Sequence, residues 1–582
     1  AKNIILKTKE LFYHFSTKEV NKEEYIIKKE FNTFSFYNKE ENKAYFVKIN
    51  LKDLETIKEI FENEEIKKYG YKTSEDYIIL KQSGILPKSI IYDAEIAIYD
   101  LDPSNMKYKI QDVAFQYLDF NMDEYLNTLG IKKQEQINLF EQTSENDEYE
   151  KNINTLYCYL IQKLYEKTAE ELEELDEVEL FNNIEMPLVE VLSEMQYEGI
   201  QIDKEELEEF GQNLKQKIEE ITKEIYNLSG TEFNINSPKQ LGEILFEKLE
   251  LPVIKKTKTG YSTDVDVLEK LKKEHPIVEK ILEYRSLAKL NSTYVEGLKP
   301  YINKETGRIH SYFHQTITAT GRISSTEPNL QNIPTRFELG KQVRKIFKPE
   351  QGKVYIDADY SQIELRVLAH MSEDTHMVQA FKEGQDIHKQ AASKVFKTPM
   401  EEVTKEQRSN AKAVNFGIVY GISDFGLGEQ LGISRKIAKK YIEEYLQEYA
   451  GIKNFMDEMK EKAKETGYVE TLFNRRRYIP ELKSNNYMVR QFGERAAMNT
   501  PIQGTAADIM KIAMINVYKK LIEEKLDAKI VLQVHDEMMI ETSLEEADRV
   551  KEIVKNEMES AIELKVPLIA EVSEAENWYE CK

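Results

Sequence analysis

Cysteine is nearly missing from this chain: only Cys158 and Cys581 occur in 582 residues. They lie far apart and in no metal-ligand spacing, which excludes a disulfide scaffold and a thiolate zinc site and suits a reducing compartment. Long apolar runs are missing too, since no stretch approaches the roughly 18 residues that a membrane helix needs. The opening Ala1-Lys2-Asn3 lacks the charged, apolar and small-residue order of a secretory leader, and it lacks an initiator Met. The chain is therefore expected to be a piece of a longer one. No internal repeat of about 20–50 residues occurs, which excludes a solenoid. Positive charge is in deficit, with 81 Lys and Arg against 104 Asp and Glu, a net charge of −23. That balance argues against a protein that coats nucleic acid, although binding depends on a local patch and not on the total.

What is present is ample material for packed cores: 41% hydrophobic and 32% charged residues, in a length that suits roughly four domains. Residues 1 to about 172 alternate strands and short helices, an α/β pattern: Tyr45–Ile49 and Ser89–Tyr92 read as strands and Leu51–Phe61 as a helix. The acidic stretch Glu166–Glu177 reads as a solvated helix face or a linker. Residues 178–300 look helical, with apolar stripes over Lys204–Leu228 and Val278–Leu298. Between them Ser237 is an expected N-cap ahead of Pro238. The basic run Lys255–Gly260 reads equally as a surface loop or as a tip resting on a nucleic-acid backbone.

The chemistry concentrates after residue 301. Lys353–Asp359 reads as a buried strand ending in acid, followed by a helix over Tyr360–Ala369. Lys529–Ile540 reads as two apolar strands flanking His535-Asp536-Glu537, a hairpin with acids at its bend. Taken singly, such acids more ordinarily cap helices or bend hairpins. Taken together, two acidic strand ends invite a shared hard cation such as Mg²⁺, because apolar strands do not bury unpartnered carboxylates. Arg408, Lys412, Phe416 and Tyr420 recur every four residues along one helical face, with cations at one end and rings at the other. That arrangement suits a nucleoside triphosphate, and equally an amphipathic helix with a core-facing aromatic stripe. Arg495, Asn499 and Gln503 repeat the spacing with hydrogen-bonding side chains, which could read the acceptors shared by all base pairs in the minor groove.

At these residues the chain resembles family A DNA polymerases, over about residue 180 to the end. Asp359–Arg366, Arg408–Gly421 and His535-Asp536-Glu537 match three motifs of the family in order, and Thr320–Ser325, Asn329–Pro334 and Gln503–Asp508 match as well. The resemblance implies an α/β multidomain protein: a ribonuclease H-like 3′–5′ exonuclease-type domain (1–175), a thumb (176–300), a palm in two parts (301–365 and 483–582) and fingers (366–482). It implies DNA-templated DNA synthesis with Asp359, Asp536 and the Tyr360 backbone carbonyl holding two Mg²⁺ ions, for which Mn²⁺ could substitute, and Glu537 as an accessory acid. Arg408, Lys412, Phe416, Tyr420, His388, Gln362 and Glu364 would hold the incoming dNTP, Glu364 crowding a ribose 2′-hydroxyl and Phe416 disfavouring dideoxynucleotides. Arg285, Lys289, Arg322, Asn329, Gln331, Arg495, Asn499, Gln503 and His535 would contact primer-template DNA. Ser409 departs from the second Arg often found after Arg408. Asp357, two residues before Asp359, is expected either to add repulsion or to face solvent. A monomer in the bacterial cytoplasm, nucleoid-associated and without a membrane contact, is expected, with a 5′-nuclease domain preceding Ala1.

The resemblance also defines a loss. A 3′–5′ exonuclease of this type needs four carboxylates around two metals, beginning with Asp-x-Glu on a strand. The local match is Phe31–Ser35, where Asn32 and Phe34 stand in the acid positions, unless that stretch is the second strand. Asp76 matches the third acid and Asn152 falls at the fourth. One carboxylate cannot balance two divalent ions, so a vestigial domain without proofreading is expected. Three alternatives remain: a nuclease acting through the first domain, a non-catalytic DNA-binding scaffold, and an enzyme copying RNA templates.

Overall fold

The structure is a computed structural model that describes residues 2–19, 29–105, 107–131, 144–258, 260–335 and 337–581. The chain divides into two compact units, one of residues 1–198, 311–331 and 356–574, the other of 199–310, 332–355 and 575–582.

The first unit opens with a five-stranded sheet ordered Lys43–Lys48, Lys29–Asn38, Glu10–Glu19, Lys67–Gly70, Ile90–Asp93. The first three strands pair antiparallel and the last two join in parallel. Side chains alternate across a strand. Leu11, Tyr13 and Phe15 therefore pack with Ile57, Ile60 and Phe61 on one face, while Phe12 packs with Leu160, Ile161 and Leu164 on the other. The latter belong to the long helix Ser144–Glu174. The acidic run is the end of this helix and not a linker. Glu170, Glu173 and Glu174 are solvated, but Thr168, Leu172 and Glu177 are buried, and burial pushes the Glu177 carboxyl up to about 8.

This topology corrects the assignment of the first acid pair. Phe31–Ser35 lies on the second strand, and the first strand is Glu10–Glu19, with Phe15 opposite Phe34 and Ser16 opposite Thr33. Phe34 is core, and the Asn32 amide donates to Glu150 Oε1 at 2.6 Å.

A second sheet runs Ala528–Val534, Glu537–Ser543, Lys353–Tyr360, Ala570–Ala575. The acid hairpin is as expected, with His535 and Asp536 forming its bend. The helix expected from Tyr360 starts instead at Ile363. Tyr360 still belongs to the strand, and Gln362, at φ 56°, turns the chain. Asp357 is buried rather than solvent-facing, one pleat deeper than Asp359. The helix Lys405–Val419 carries Arg408, Lys412 and Phe416, but Tyr420 is its C-cap and not a helical residue. The 37-residue helix Tyr487–Glu523 carries Arg495, Asn499 and Gln503.

In the second unit the helices Lys204–Ser229 and Pro276–Leu290 pack together. The latter ends in a wider π-turn over Asn291–Glu296. Ser237 caps as expected, accepting from Gln240 N ahead of Pro238. Lys256–Thr257 and Gly260–Tyr261 pair as a short hairpin, so the basic run includes a hairpin turn. Thr259 lies outside the described residues. Trp578 is fully buried, with the Phe347 ring edge-on at 5.4 Å and the Arg344 guanidinium 4.2 Å from its centroid.

One buried ionic cluster ties distant parts of the first unit. Arg475, 1% exposed, donates from Nε and Nη2 to Asp508 Oδ1 at 2.9 and 2.7 Å, from Nη1 to Asp100 Oδ1 at 3.3 Å, and from Nη2 to Glu185. Lys511 also pairs with Glu185, and Thr471 Oγ1 donates to Asp508 Oδ2 at 2.9 Å. Burial alone would raise the Glu185 carboxyl, but Lys511 and Arg475 hold it down at about 2. Burial and the nearby Glu185 push Asp100 well above the usual carboxylate range. Arg475 and Lys511 thus share Asp508, Glu185 and Asp100 in one buried cluster. Breaking such a cluster from one side leaves uncompensated buried charge, which costs roughly 3–5 kcal/mol. Arg475→Leu is therefore expected to lower the thermal midpoint strongly, whereas Asp100→Asn, which keeps an acceptor oxygen for the 3.3 Å contact from Arg475 Nη1, should lower it less in the same calorimetric scan.

Candidate active site

The two acidic strand ends meet. The Tyr360 N–H donates to the Asp536 carbonyl at 3.1 Å, and Ser361 N–H to the Ile569 carbonyl at 2.9 Å, so the end of the central strand is stitched to the neighbouring hairpin bend and to the approach of the last strand. Tyr360 is buried and its hydroxyl donates to the Met558 carbonyl at 2.7 Å. Gln533 donates to the His535 carbonyl across a bend in which His535 adopts φ 57°. Gln331 reaches this bend as well, donating to the Gln533 carbonyl and Oε1 at 3.2 and 3.1 Å, and Asn329 Oδ1 accepts from Gln331 N.

Around these strand ends lies a cleft of about 490 Å³ lined by Arg322, Asp359, Tyr360, Gln362, Glu364, Phe416, Tyr420, His535 and Asp536 among others. Nine of the expected site residues thus share one cavity. Arg322 pairs with the nearly buried Glu364. Tyr420 stands beside both, and burial followed by the Glu364 charge pushes its phenol up to about 12. Beyond the cleft wall, Lys412 Nζ sits 5.9 Å from the Phe416 ring centroid, and the His388 ring 5.7 Å from it on the other approach. Arg408 Nε donates to Asp386 Oδ2 at 2.6 Å, and Asp386 caps the helix Ile387–Phe396 through His388 N and Lys389 N. Arg495 packs against Gly421, whose left-handed φ of 64° and 2.9 Å clearance to Arg495 Cγ leave no room for a Cβ. Asn499 and Gln503 follow on the next turns, and Asn499 Oδ1 is a buried acceptor without a hydrogen-bond partner. Glu537 is buried at the start of its strand.

Arg285 and Lys289 belong to the other unit. Arg285 is half-buried and donates to the Thr263 carbonyl and, at 3.1 Å, to Thr263 Oγ1, while Lys289 is exposed. Sequence reasoning missed Glu571, which lines the cleft from the strand Ala570–Ala575 and carries no motif around it. It also missed the role of Asp508, although the motif Gln503–Asp508 contains it.

The donor set suits a hard cation. Asp359, Asp536 and the Tyr360 carbonyl are all oxygen ligands on stitched strand ends. With Glu364 and Glu571 the cleft holds four carboxylates against the single guanidinium of Arg322, a deficit that bound cations would offset. Among the described residues no group of three or more His, Cys, Asp or Glu side chains is gathered as a metal site.

Of the expected exonuclease residues only Asp76 carries a carboxylate. Asn32 and Phe34 lie on the second strand, and Asn152 donates to the Glu148 carbonyl one turn back on its own helix. Asp76 is buried beside Tyr13 of the first strand, and burial and the neighbouring Glu75 charge push its carboxyl well above the usual range. The face of the first strand that meets Asp76 carries Tyr13 and Phe15, neither of them a metal ligand.

Comparison with known proteins agrees with this geometry. The profile of DNA polymerase family A matches residues 204–580, and that of the DNA polymerase I ribonuclease H-like domain matches residues 17–138. DNA polymerase I of Caldicellulosiruptor bescii is 46% identical over 551 residues, 94% of this chain and 61% of that protein. The Bacillus subtilis protein of the same name is 45% identical over 553 residues, 94% of this chain and 62% of that one. That of Lactococcus lactis subsp. cremoris is 53% identical over 418 residues, covering 72% and 48%. The chain spans about three fifths of the length of the first two relatives. A solved structure described as the POL domain of Pol1 from M. smegmatis in complex with DNA primer-template and dNTP superposes with a TM-score of 0.87. It is 33% identical, with 98% of this chain and 96% of that chain covered. The fold is therefore a ribonuclease H-like exonuclease-type domain followed by a polymerase domain.

His388 offers a test of the site's electrostatics. It is buried, and Asn415 Nδ2 donates to its Nδ1 at 2.8 Å, which leaves the proton on Nε2. Burial lowers its pKa to about 4, with the Lys412 and Arg408 charges lowering it and Asp386 opposing them. An NMR titration should find His388 neutral down to about pH 4, and Lys412→Met should move the midpoint upward. Because the unfolded imidazole protonates near the ordinary 6.5, stability falls as pH drops from about 6.5 to about 4.

Proposed function

The chain belongs to DNA polymerase family A, and we propose that it extends a primer 3′-hydroxyl with dNTPs on a DNA template, releasing pyrophosphate, without 3′–5′ proofreading. The observation that carries this is the meeting of Asp359 and Asp536 at stitched strand ends in one cleft with Arg322, Glu364, Phe416 and Tyr420. Residues 301–365 and 483–582 would form the palm, 366–482 the fingers, 176–300 the thumb and 1–175 the inactive exonuclease-type domain. Repair, gap filling and replacement of replication primers are the corresponding tasks.

In this reading Asp359, Asp536 and the Tyr360 carbonyl would hold two Mg²⁺ ions. Bound there, the ions would supply neutralising charge for the attacking and leaving oxygens of an in-line displacement at phosphorus. Lys412 and Arg408 face the triphosphate as point charge and fork. To engage it, Arg408 exchanges its Asp386 partner for phosphate oxygens. His388, with its proton on Nε2, donates to the same phosphates without adding charge. Glu364, held by Arg322, closes the space that a 2′-hydroxyl needs, and the Phe416 ring packs against the nucleotide. Gln362 lies at the turn before Glu364, and Glu537 backs the metal site from the hairpin. Arg495, Asn499, Gln503, Asn329, Gln331 and His535 line the path of the primer-template, which Arg285 and Lys289 contact along its backbone.

The loss of proofreading is supported by the burial of Asp76 and by Tyr13 and Phe15 on the strand face beside it. Primer extension with Mg²⁺ tests both halves. A matched primer should lengthen, and a primer with a mismatched 3′ base should not shorten. Shortening would overturn the inactive-exonuclease reading, and failure to extend would favour a DNA-binding scaffold. Asp536→Asn should cut extension by at least about a hundredfold while leaving DNA binding near its original strength. Lys412→Ala should lower kcat/KM for dNTP about ten- to hundredfold, the scale of a charged hydrogen bond.

A further inference from the structure

Two side chains of the helix Ala94–Leu101, in the ribonuclease H-like domain, reach the segment that carries Arg322, and a third reaches Arg475 beneath it. Glu95 Oε1 accepts from Thr316 Oγ1 at 2.8 Å. The Tyr99 hydroxyl donates to the Thr318 carbonyl at 2.7 Å. Asp100 Oδ1 accepts from Arg475 at 3.3 Å. Glu95 and Tyr99, four residues apart, share one face of the helix.

The receiving segment needs such anchors. Residues 315–323 form neither helix nor ladder, so side-chain bonds must fix their path. Thr318 Oγ1 donates to the Arg322 carbonyl at 2.7 Å. Beneath it, Gly321 at φ 80° lies so close to Arg475 that a Cβ would stand 2.6 Å from Nε. Arg322 then ends on Glu364 in the cleft. A continuous relay therefore runs from Tyr99 to the Thr318 turn, to Arg322, to Glu364. Tyr99 is fully buried, so its hydroxyl has no water with which to replace the Thr318 carbonyl, and the bond is persistent.

We propose that Tyr99 is a positioning residue of the polymerase site. By fixing the Thr318 turn it sets Arg322, and through Arg322 it sets the Glu364 carboxylate that excludes the 2′-hydroxyl. The ribonuclease H-like domain thus contributes to sugar selection at the other domain's cleft. This rests on the polymerase reading of that cleft.

The test uses the whole chain and compares kcat/KM for a dNTP with that for the matching ribonucleotide in primer extension. Tyr99→Phe is expected to lower this ratio about fivefold, the scale of one net hydrogen bond, with kcat for the dNTP and the thermal midpoint nearly unchanged. Thr318→Ala, which removes the bond to the Arg322 carbonyl, should reproduce the loss. Tyr71→Phe removes a comparable hydroxyl–carbonyl bond inside the same domain, to Tyr108 at 2.8 Å, and should leave the ratio intact. An unchanged ratio in Tyr99→Phe overturns the proposal, as does an equal drop in Tyr71→Phe. Failure of the unaltered chain to extend any primer would instead overturn the polymerase reading, and the proposal with it.

Discussion

The buried guanidinium of Arg475 is the constraint on which the first unit depends. Its carboxylate partners come from positions 100, 185 and 508, and no apolar contact could specify their mutual geometry so tightly. A guanidinium offers donors in a rigid planar fork, so each partner is fixed in direction as well as distance. Asp508 and Lys511 sit on the helix that also carries Gln503 and the cleft-lining Ala506 and Ala507. The cluster therefore registers that helix against the segment under Arg322. Gly504 shows how close this registration is: a Cβ there would meet Thr471 Cγ2 at 2.5 Å.

Above that base, the cleft is organised by strand ends. Two non-glycine residues next to its acids, Gln362 and His535, adopt left-handed backbone conformations, each of which costs on the order of 1 kcal/mol. Such turns end the strands abruptly and leave Asp359 and Asp536 facing the cleft. The charge lining the cleft is negative, four carboxylates against one guanidinium, a deficit that bound cations would offset. The acidic total of the chain is thus no obstacle, because the cations of Arg408 and Lys412 stand on one helix face at the cleft's approach.

Much of this site was legible in the sequence, because its chemistry is carried by short contiguous runs. The acid at a strand end, the four-residue spacing and the hairpin bend each have a local signature. Even there the reading overran slightly: Tyr420 caps its helix, and the helix after Tyr360 starts three residues later, because tight turns intervene where periodicity continues. Of the two expectations for Asp357, facing solvent fails because it is buried: strand alternation gives a face but not a depth. Phe31–Ser35 imitates the motif of the first acid pair while Glu10–Glu19 shows none of it, and the alternative that this stretch is the second strand holds. Arg475, Asp100 and Glu185 had no signature at all. Their partnership spans 290 and 375 residues of sequence, and single charged residues in a chain that is one third charged draw no attention.

The reach of Asp100 has an evolutionary consequence. A lineage that discarded the ribonuclease H-like domain would strip Arg475 of one of its three carboxyl partners, while Glu185 and Asp508 would remain. The domain is therefore costly to lose by geometry, whatever its own chemistry. Its retention is what selection on a neighbour's architecture would produce.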